Sequence, residues 1–405
     1  MRSTTRTILC LSLILVTIGS MPARGQSIFG LNFLGEHLFN GDSRYRALAY
    51  SAIAVSDTTS ALTLNPASRA DLRSVTFSIV EVFEMGSARA GEETAELNRF
   101  QLPQLVLALP LRPGLVFSLG YMTTYMGRGD FAYPSYVDDV PIYYEVYKHR
   151  SSLFTAPLSV SWKAADWLNV AASLDLERGS IRQEVDIEFY EDGYDYAEAS
   201  RSRSFSGESF SLALLARIHP RLYVGGMWDH EVEYEVDETI TYTRSEFNSN
   251  AVWKTTLPAA FGVGAAAGLS ERWWLTAQYW RREPPEAEGF PQLDGSIGEE
   301  SLIAVGLERR RAGDGGFFSR IPLRLGFYQN RWHLEIPAGE PVTSRFFTMG
   351  TAFSLPGGPG RIDLSLELGQ VGSLDDNGAD ERIARLGVGF SLSEPWSSRD
   401  GDDRY

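Results

Sequence analysis

The chain has 405 residues, a formal net charge of −15 and one cysteine. Such an acidic balance argues against a nucleic-acid partner, because binding phosphate needs a basic face. Beyond the N-terminal segment no run of 18 or more apolar residues occurs, which excludes helical membrane spans but not strands, whose hydrophobicity is hidden by alternation.

Residues 1–25 read as an export signal. Arg2 and Arg6 form a charged start, Ile8 to Ile18 a short apolar core, and Ala23-Arg24-Gly25 puts small residues where a signal peptidase reads them. The core is too short to span a bilayer. Cleavage after Gly25 leaves 380 residues. It removes Cys10 and three arginines, so the charge becomes −18 and no thiol remains for a disulfide or a thiolate-bound metal.

Residues 26–73 lack strand alternation. Ile28, Phe29, Leu31, Phe33, Leu34, Leu38 and Phe39 make the beginning apolar, and the Ala-rich Tyr45 to Val55 suits a short helix. So short and aperiodic a segment needs enclosure by something else. It ends at Asn65-Pro66-Ala67, a turn signal: the Asn side chain bonds backbone ahead of it, and Pro66 drives Asn65 towards an extended geometry.

From Ser74 the pattern changes to strict period two. Phe347, Met349 and Phe353 share one face against Thr348, Gly350 and Ala352. Ile362, Leu364, Leu366 and Leu368 oppose Asp363, Ser365 and Glu367. Ala384, Leu386, Val388 and Phe390 oppose Arg385, Gly387 and Gly389. The same template predicts fourteen strands, near 74–85, 100–111, 115–126, 152–163, 167–178, 208–218, 222–234, 256–267, 273–283, 301–309, 321–329, 346–355, 361–371 and 382–392. Each approaches the roughly 9–11 residues that a tilted strand needs to cross a bilayer. Short turns alternate with long polar loops (127–151, 179–207, 235–255, 284–300, 330–345), as in outer-membrane barrels. The linker 310–320 is longer than a short-side turn. The expected fold is all-β, a transmembrane antiparallel β-barrel of about 14 strands over 74–392, with a luminal plug at 26–73 and a polar tail at 393–405.

A secreted β-sandwich also alternates. Against it stand polar faces rich in Gly, Ser and Ala, which suit a crowded lumen, and the presence of only three lysines, Lys148, Lys163 and Lys254. Trp162, Trp167, Trp228, Trp273, Trp274 and Trp280 fall near predicted strand ends, where amphipathic rings sit at lipid headgroups.

Taken together, the signal, the strand count, Leu64-Asn65-Pro66-Ala67 before the first strand and Leu257-Pro258-Ala259-Ala260-Phe261-Gly262-Val263-Gly264 resemble the outer-membrane long-chain fatty acid and hydrocarbon transporters (FadL/TodX type). The resemblance implies a bacterial outer-membrane barrel that imports apolar small molecules by gated diffusion past an N-terminal hatch, with release through hatch movement and a gap in the wall. Asn65, Pro66 and Ala67 match the hatch motif. The Gly-rich stretch usual upstream is here Arg46-Ala47-Leu48-Ala49-Tyr50-Ser51-Ala52. Related PorV-like barrels share the Asn-Pro-Ala hatch and serve protein secretion and surface attachment, which is the alternative function. The expected partners are a hydrophobic ligand and outer-membrane lipid, with the protein a monomer.

A barrel hydrolase is a remote third class. Asp229-His230 is the one suitable pair, and adjacent strand residues point to opposite faces. His37, His149, His219, His230 and His333 are scattered with no zinc spacing, and no phosphate loop exists. Glu184, Asp186, Glu188, Glu191, Asp192 and Asp195 lack the spacing of a Ca²⁺ loop and suit a solvated face. No catalytic residue, metal or cofactor is expected. Arg217, Arg324 and Arg385 should face the lumen, satisfied by Asp363 or Glu367. Pairing with these carboxylates is the main reading for the arginines, and holding a ligand carboxylate the lesser one.

Overall fold

The computed structural model describes residues 27–31, 34–137, 140–189, 197–243, 248–284, 296–311, 317–336, 339–355 and 360–395. The expected signal (1–25), part of the acidic loop (Glu191, Asp192, Asp195), the body of the turn at 356–360 and most of the tail lie outside these residues.

The wall consists of β1 (Ser74–Ala90), β2 (Glu93–Arg112), β3 (Leu115–Val137), β4 (Val140–Ala165), β5 (Leu168–Phe189), β6 (Ala197–His219), β7 (Leu222–Asp229 and Val232–Tyr242) and β8 (Ser249–Leu257 and Ala260–Gly268). It continues with β9 (Trp273–Arg282), β10 (Glu300–Arg309), β11 (Leu323–Glu335), β12 (Pro341–Ser354), β13 (Gly360–Ser373) and β14 (Ala379–Pro395). Each pairs antiparallel with the next. Pairing of β14 with β1, from Ala379 opposite Ala90 to Pro395 opposite Ser74, closes the barrel and leaves no edge. The core of every predicted strand lies in one of these fourteen.

The faces follow the predicted alternation. Phe347, Met349, Leu368 and Leu386 are exposed on the outside, while Thr348, Asp363, Ser365, Glu367 and Arg385 are buried inside. Leu366→Arg, near the middle of the outer band, is expected to cost about 2–4 kcal/mol in a bilayer unfolding titration; a cost no larger than that of Leu366→Ala would contradict the lipid-facing assignment. Ser365 is less open than a lumen position suggests. A Cβ on its neighbour Gly387 would meet Ser365 Oγ at 2.3 Å and Ser43 Oγ of the plug at 3.2 Å. An arginine there would collide with the plug.

Three expectations are corrected. The predicted long loops 127–151, 179–207, 235–255 and 330–345 are largely strand among the described residues: β3 and β4 run 23 and 26 residues, far beyond what a bilayer requires, and pair out to Val137 opposite Val140. Beyond the membrane both faces meet water, so the ladder continues without hydrophobic alternation to reveal it. Secondly, Trp162, Trp167, Trp228 and Trp273 are exposed on the outside, whereas Trp274 and Trp280 are buried in the lumen. Thirdly, β14 extends to Pro395, three residues past the expected end of the barrel. Of the linker 310–320, Phe317–Arg320 forms one helical turn.

Inside the wall lies the N-terminal segment. Helix α1 (Ser43–Ala47) is shorter and earlier than the Ala-rich stretch suggests. Asp42 caps it, accepting from the Arg44 and Tyr45 amides at 2.9 and 3.2 Å. The chain then reverses through left-handed Ala49 and Tyr50 (φ 56° and 63°), so the alanines pass into an irregular loop. A 3₁₀ helix, Pro66–Asp71, ends the segment. α1 rests on β11–β14 and the 3₁₀ helix on β3–β6, so the plug spans the lumen from wall to wall.

Candidate functional site

The plug is held by polar contacts that no local stretch of sequence contains. Asn65 caps the 3₁₀ helix: its Oδ1 accepts from the Ala67 amide at 2.9 Å, and its Nδ2 donates to the carbonyls of Ile53 (2.9 Å) and Leu214 (2.8 Å). Leu214 belongs to β6, so one buried side chain ties two plug segments to the wall. Ser161 of β4 donates to the Pro66 carbonyl at 2.8 Å. The expected hatch motif is therefore a three-way junction.

The turn side of the plug carries a buried ion network. Arg44 clasps Glu308 of β10 with two bonds, at 3.0 and 2.7 Å, and reaches Asp57 at 2.8 Å. Arg324 bridges Glu308 (2.9 Å) and Asp363 (2.6 Å), and Arg361 joins Asp42, Asp57 and Asp363. Burial alone would raise the Asp57 carboxyl, but Arg361 and Arg44 outweigh it and hold it well below the usual carboxylate range. Asp42 is pushed up to about 6 by burial and by the charge of Asp363, against the pull of Arg361.

A second network lies deeper. Arg385 and Arg99 both bridge Glu84 of the wall and Glu36 of the plug, at 2.5–2.7 Å. Glu367 binds Arg46 at 2.8 Å and accepts from Tyr328 at 3.1 Å. Of the expected luminal residues, Arg324 thus pairs with Asp363 as anticipated. Arg385 stands opposite both Glu367 and Glu84 in the ladder and binds Glu84, leaving Glu367 to the plug. Arg217 stands apart, exposed near the turn end of β6. Towards the far ends of β4 and β5, Asp186 and Glu184 form pairs with Lys148 and Arg182, both at 2.5 Å. Among the described residues no group of three His, Cys, Asp or Glu is placed to hold a metal ion.

Small residues on both sides let the plug sit close. A Cβ on Gly225 would meet the Ile53 carbonyl oxygen at 2.4 Å, and one on Gly326 would meet the Ala49 Cβ at 2.7 Å. The close approach that glycines in the plug would allow is provided here by wall glycines against plug alanines. The abundance of Gly and Ala on the inner face was the available signal.

Between the plug and strands β3–β9 lies a cavity of about 150 Å³. Phe39, Ile53, Leu64, Met122, Met227 and Trp280 supply apolar lining; Asp175, Glu177, Asp229 and Arg282 supply charge. His230 and Pro258 also line it, and there the ladder is broken. Leu257 pairs with Val232 and Ala260 with Asp229, so 230–231 and 258–259 face each other outside the strands. Pro258 has no N–H to offer a ladder. At the turn end a wider vestibule of about 2100 Å³ opens, with Arg44, Asp57 and Glu308 in its lining.

A family model described as BamG matches residues 5–400. No curated protein matches the sequence. Solved structures share this fold, among them the following three. A FadL homologue of Pseudomonas aeruginosa is 13% identical, with 88% of this chain and 98% of that one covered and a TM-score of 0.60. The toluene transporter TodX of Pseudomonas putida is 16% identical, with 89% and 99% covered and a TM-score of 0.59. The toluene transporter TbuX of Ralstonia pickettii is 13% identical, with 88% and 99% covered and a TM-score of 0.58. At such identities the likeness establishes the fold alone.

Proposed function

This chain belongs to the BamG family, and from that premise we propose that it is a bacterial outer-membrane barrel that passes hydrophobic small molecules by gated diffusion past its N-terminal plug. The observation that carries this reading is the cavity between plug and wall, beside the break in the ladder of β7 and β8. A cavity of about 150 Å³ has room for a molecule of benzene size. A single ring fits the closed state, whereas a long-chain fatty acid requires the plug to shift. The barrel acts without chemistry on its cargo, and the ion networks around Arg44 and Arg385 hold the plug.

A second reading is a PorV-like role in protein secretion or surface attachment. Favouring it are the charged residues of the cavity, Asp175, Glu177, Asp229 and Arg282, and the number of ion pairs that fix the plug. Such a barrel needs a firm plug and no cargo.

Filling the cavity separates the two. Met227→Trp should weaken binding of toluene to the purified protein roughly tenfold, the equivalent of about 1.4 kcal/mol. Uptake of labelled toluene by cells should fall with it, while the barrel still assembles. Absence of any saturable toluene binding to the wild type, together with lost surface display of secreted proteins on deletion, would replace the first reading by the second.

A further inference from the structure

The chain as a whole is acidic, with a formal net charge of −15, and the vestibule at the turn end departs from that balance. Its lining carries eight arginines and lysines against four carboxylates. Three of these cations, Arg44, Arg324 and Arg361, belong to the ion network of the plug, where Asp42, Asp57, Glu308 and Asp363 engage them. The other five, Arg73, Arg112, Lys163, Arg310 and Arg311, form a collar that only Asp71 and Asp166 interrupt. Lys163 lies 3.7 Å from Asp71, Arg310 stacks over the Trp274 ring at 3.8 Å, and Arg311 donates to Ser354 Oγ at 2.6 Å. Arg73 and Arg112 are exposed and, among the described residues, have no ion pair or side-chain hydrogen bond. Arginine does not shed its charge in the physiological range, so the excess persists whatever the nearby carboxyls do.

Position and size decide what the collar suits. Lys163 lines the vestibule, whereas its neighbour Trp162 points to the other face of β4 and, with Trp167 and Trp273, marks the headgroup level outside. The collar therefore looks into the mouth and away from lipid. At about 2100 Å³ the vestibule is about twice the upper end of the roughly 300–1,000 Å³ typical of small-ligand pockets, and it has room for a stretch of polypeptide. A concave surface lined by one sign of charge focuses its field on an oppositely charged partner. Far from the mouth, the exposed Glu233, Glu235 and Asp237 of β7 repel the same partner, which fixes the end at which it docks. In an outer-membrane barrel the short turns face the periplasm. We propose that the vestibule is a docking site for an acidic polypeptide segment of a periplasmic partner protein, whose Asp and Glu side chains the collar clasps. Seated there, the segment lies against the underside of the plug, where Arg44 and Asp57 line the vestibule. This docking does not depend on what the smaller cavity holds.

Fluorescence anisotropy of a labelled oligoglutamate peptide, titrated with the purified protein in uncharged detergent, tests it. Binding should be saturable at about 50 mM salt and weaken about tenfold by about 300 mM, where screening shortens the reach of exposed charges. Arg112→Glu with Arg311→Glu should weaken it at least about tenfold. Lys254→Glu with Arg345→Glu makes the same change of charge at exposed sites towards the opposite end, and should leave binding within about twofold. Should the reversed collar pair fail to assemble, Arg112→Gln with Arg311→Gln decides, with a loss of at least about threefold expected. A wild type that does not bind the peptide at low salt, a collar variant that binds as well as the wild type, or an equal loss in the control pair would each overturn the proposal. Binding present in detergent but absent in nanodiscs containing phosphatidylglycerol would assign the collar to lipid headgroups instead. Binding that appears only after removal of residues 396–405 would assign it to the chain's own tail.

Discussion

Glu308→Leu is expected to unseat the plug while leaving the wall closed. Glu308 is buried and receives three guanidinium bonds at 2.7–3.0 Å, two from Arg44 of the plug and one from Arg324 of β11. Removing one member of a buried ion group leaves its partners desolvated, at a cost of about 3–5 kcal/mol. Asp57 retains Arg44 and Asp363 retains Arg324, so the loss falls on the tie between plug and wall. The barrel closes through backbone pairing of β14 with β1 and does not use this carboxylate. Limited trypsin digestion reads the outcome, because Arg44 and Arg46 are buried cleavage sites in the intact plug. The variant should be cut there while the folded barrel persists. Arg44→Met alone should show the same defect. The double variant should recover part of the loss, since it no longer leaves this arginine beside an empty site. Unchanged protection in Glu308→Leu, or a double variant worse than the sum of the singles, would show that the pair does not anchor the plug.

What the sequence made legible, and what it hid, follows from where each constraint operates. Within the bilayer one face meets lipid and the other the lumen, so Phe347 and Met349 separate cleanly from Thr348 and Gly350, and the sides of β12–β14 are correctly assigned. Outside the bilayer that contrast vanishes, and the strands over 127–151 merge into apparent loops. Trp274 and Trp280 share parity with Thr276 and Gln278, an inward signal that the tendency of tryptophan to sit at headgroups outweighed. Plug–wall pairs were beyond reach. Arg46 and Glu367 are 321 positions apart, Arg44 and Glu308 are 264 apart, and no periodicity couples such residues. By contrast, Asn65 was legible, because its capping role is local even though its bond to Leu214 is not.

That local residue gives the test of gating. Asn65→Ala removes the caps on Ala67 and the bonds to Ile53 and Leu214, and each buried group left unsatisfied costs about 1–3 kcal/mol. Pro66→Gly adds freedom in the unfolded chain at the same junction, roughly a further 0.4–1 kcal/mol. None of the lost bonds belongs to the closed ladder of the wall, so the double variant should assemble and reach the surface at near-normal levels. The ion networks around Arg44 and Arg385 remain, which holds α1 against β11–β14. The loosened part is therefore the stretch beside the cavity, where Leu64, Pro66 and Ile53 form one side. Cells carrying the double variant should admit bulky antibiotics that the wild type excludes, and take up a long-chain fatty acid or alkane less well because the gate no longer closes behind its cargo. Unchanged permeability with unchanged uptake would falsify the gated plug. If permeability stays normal and secreted proteins vanish from the surface instead, the junction serves secretion and the plug is a fixed part of the barrel.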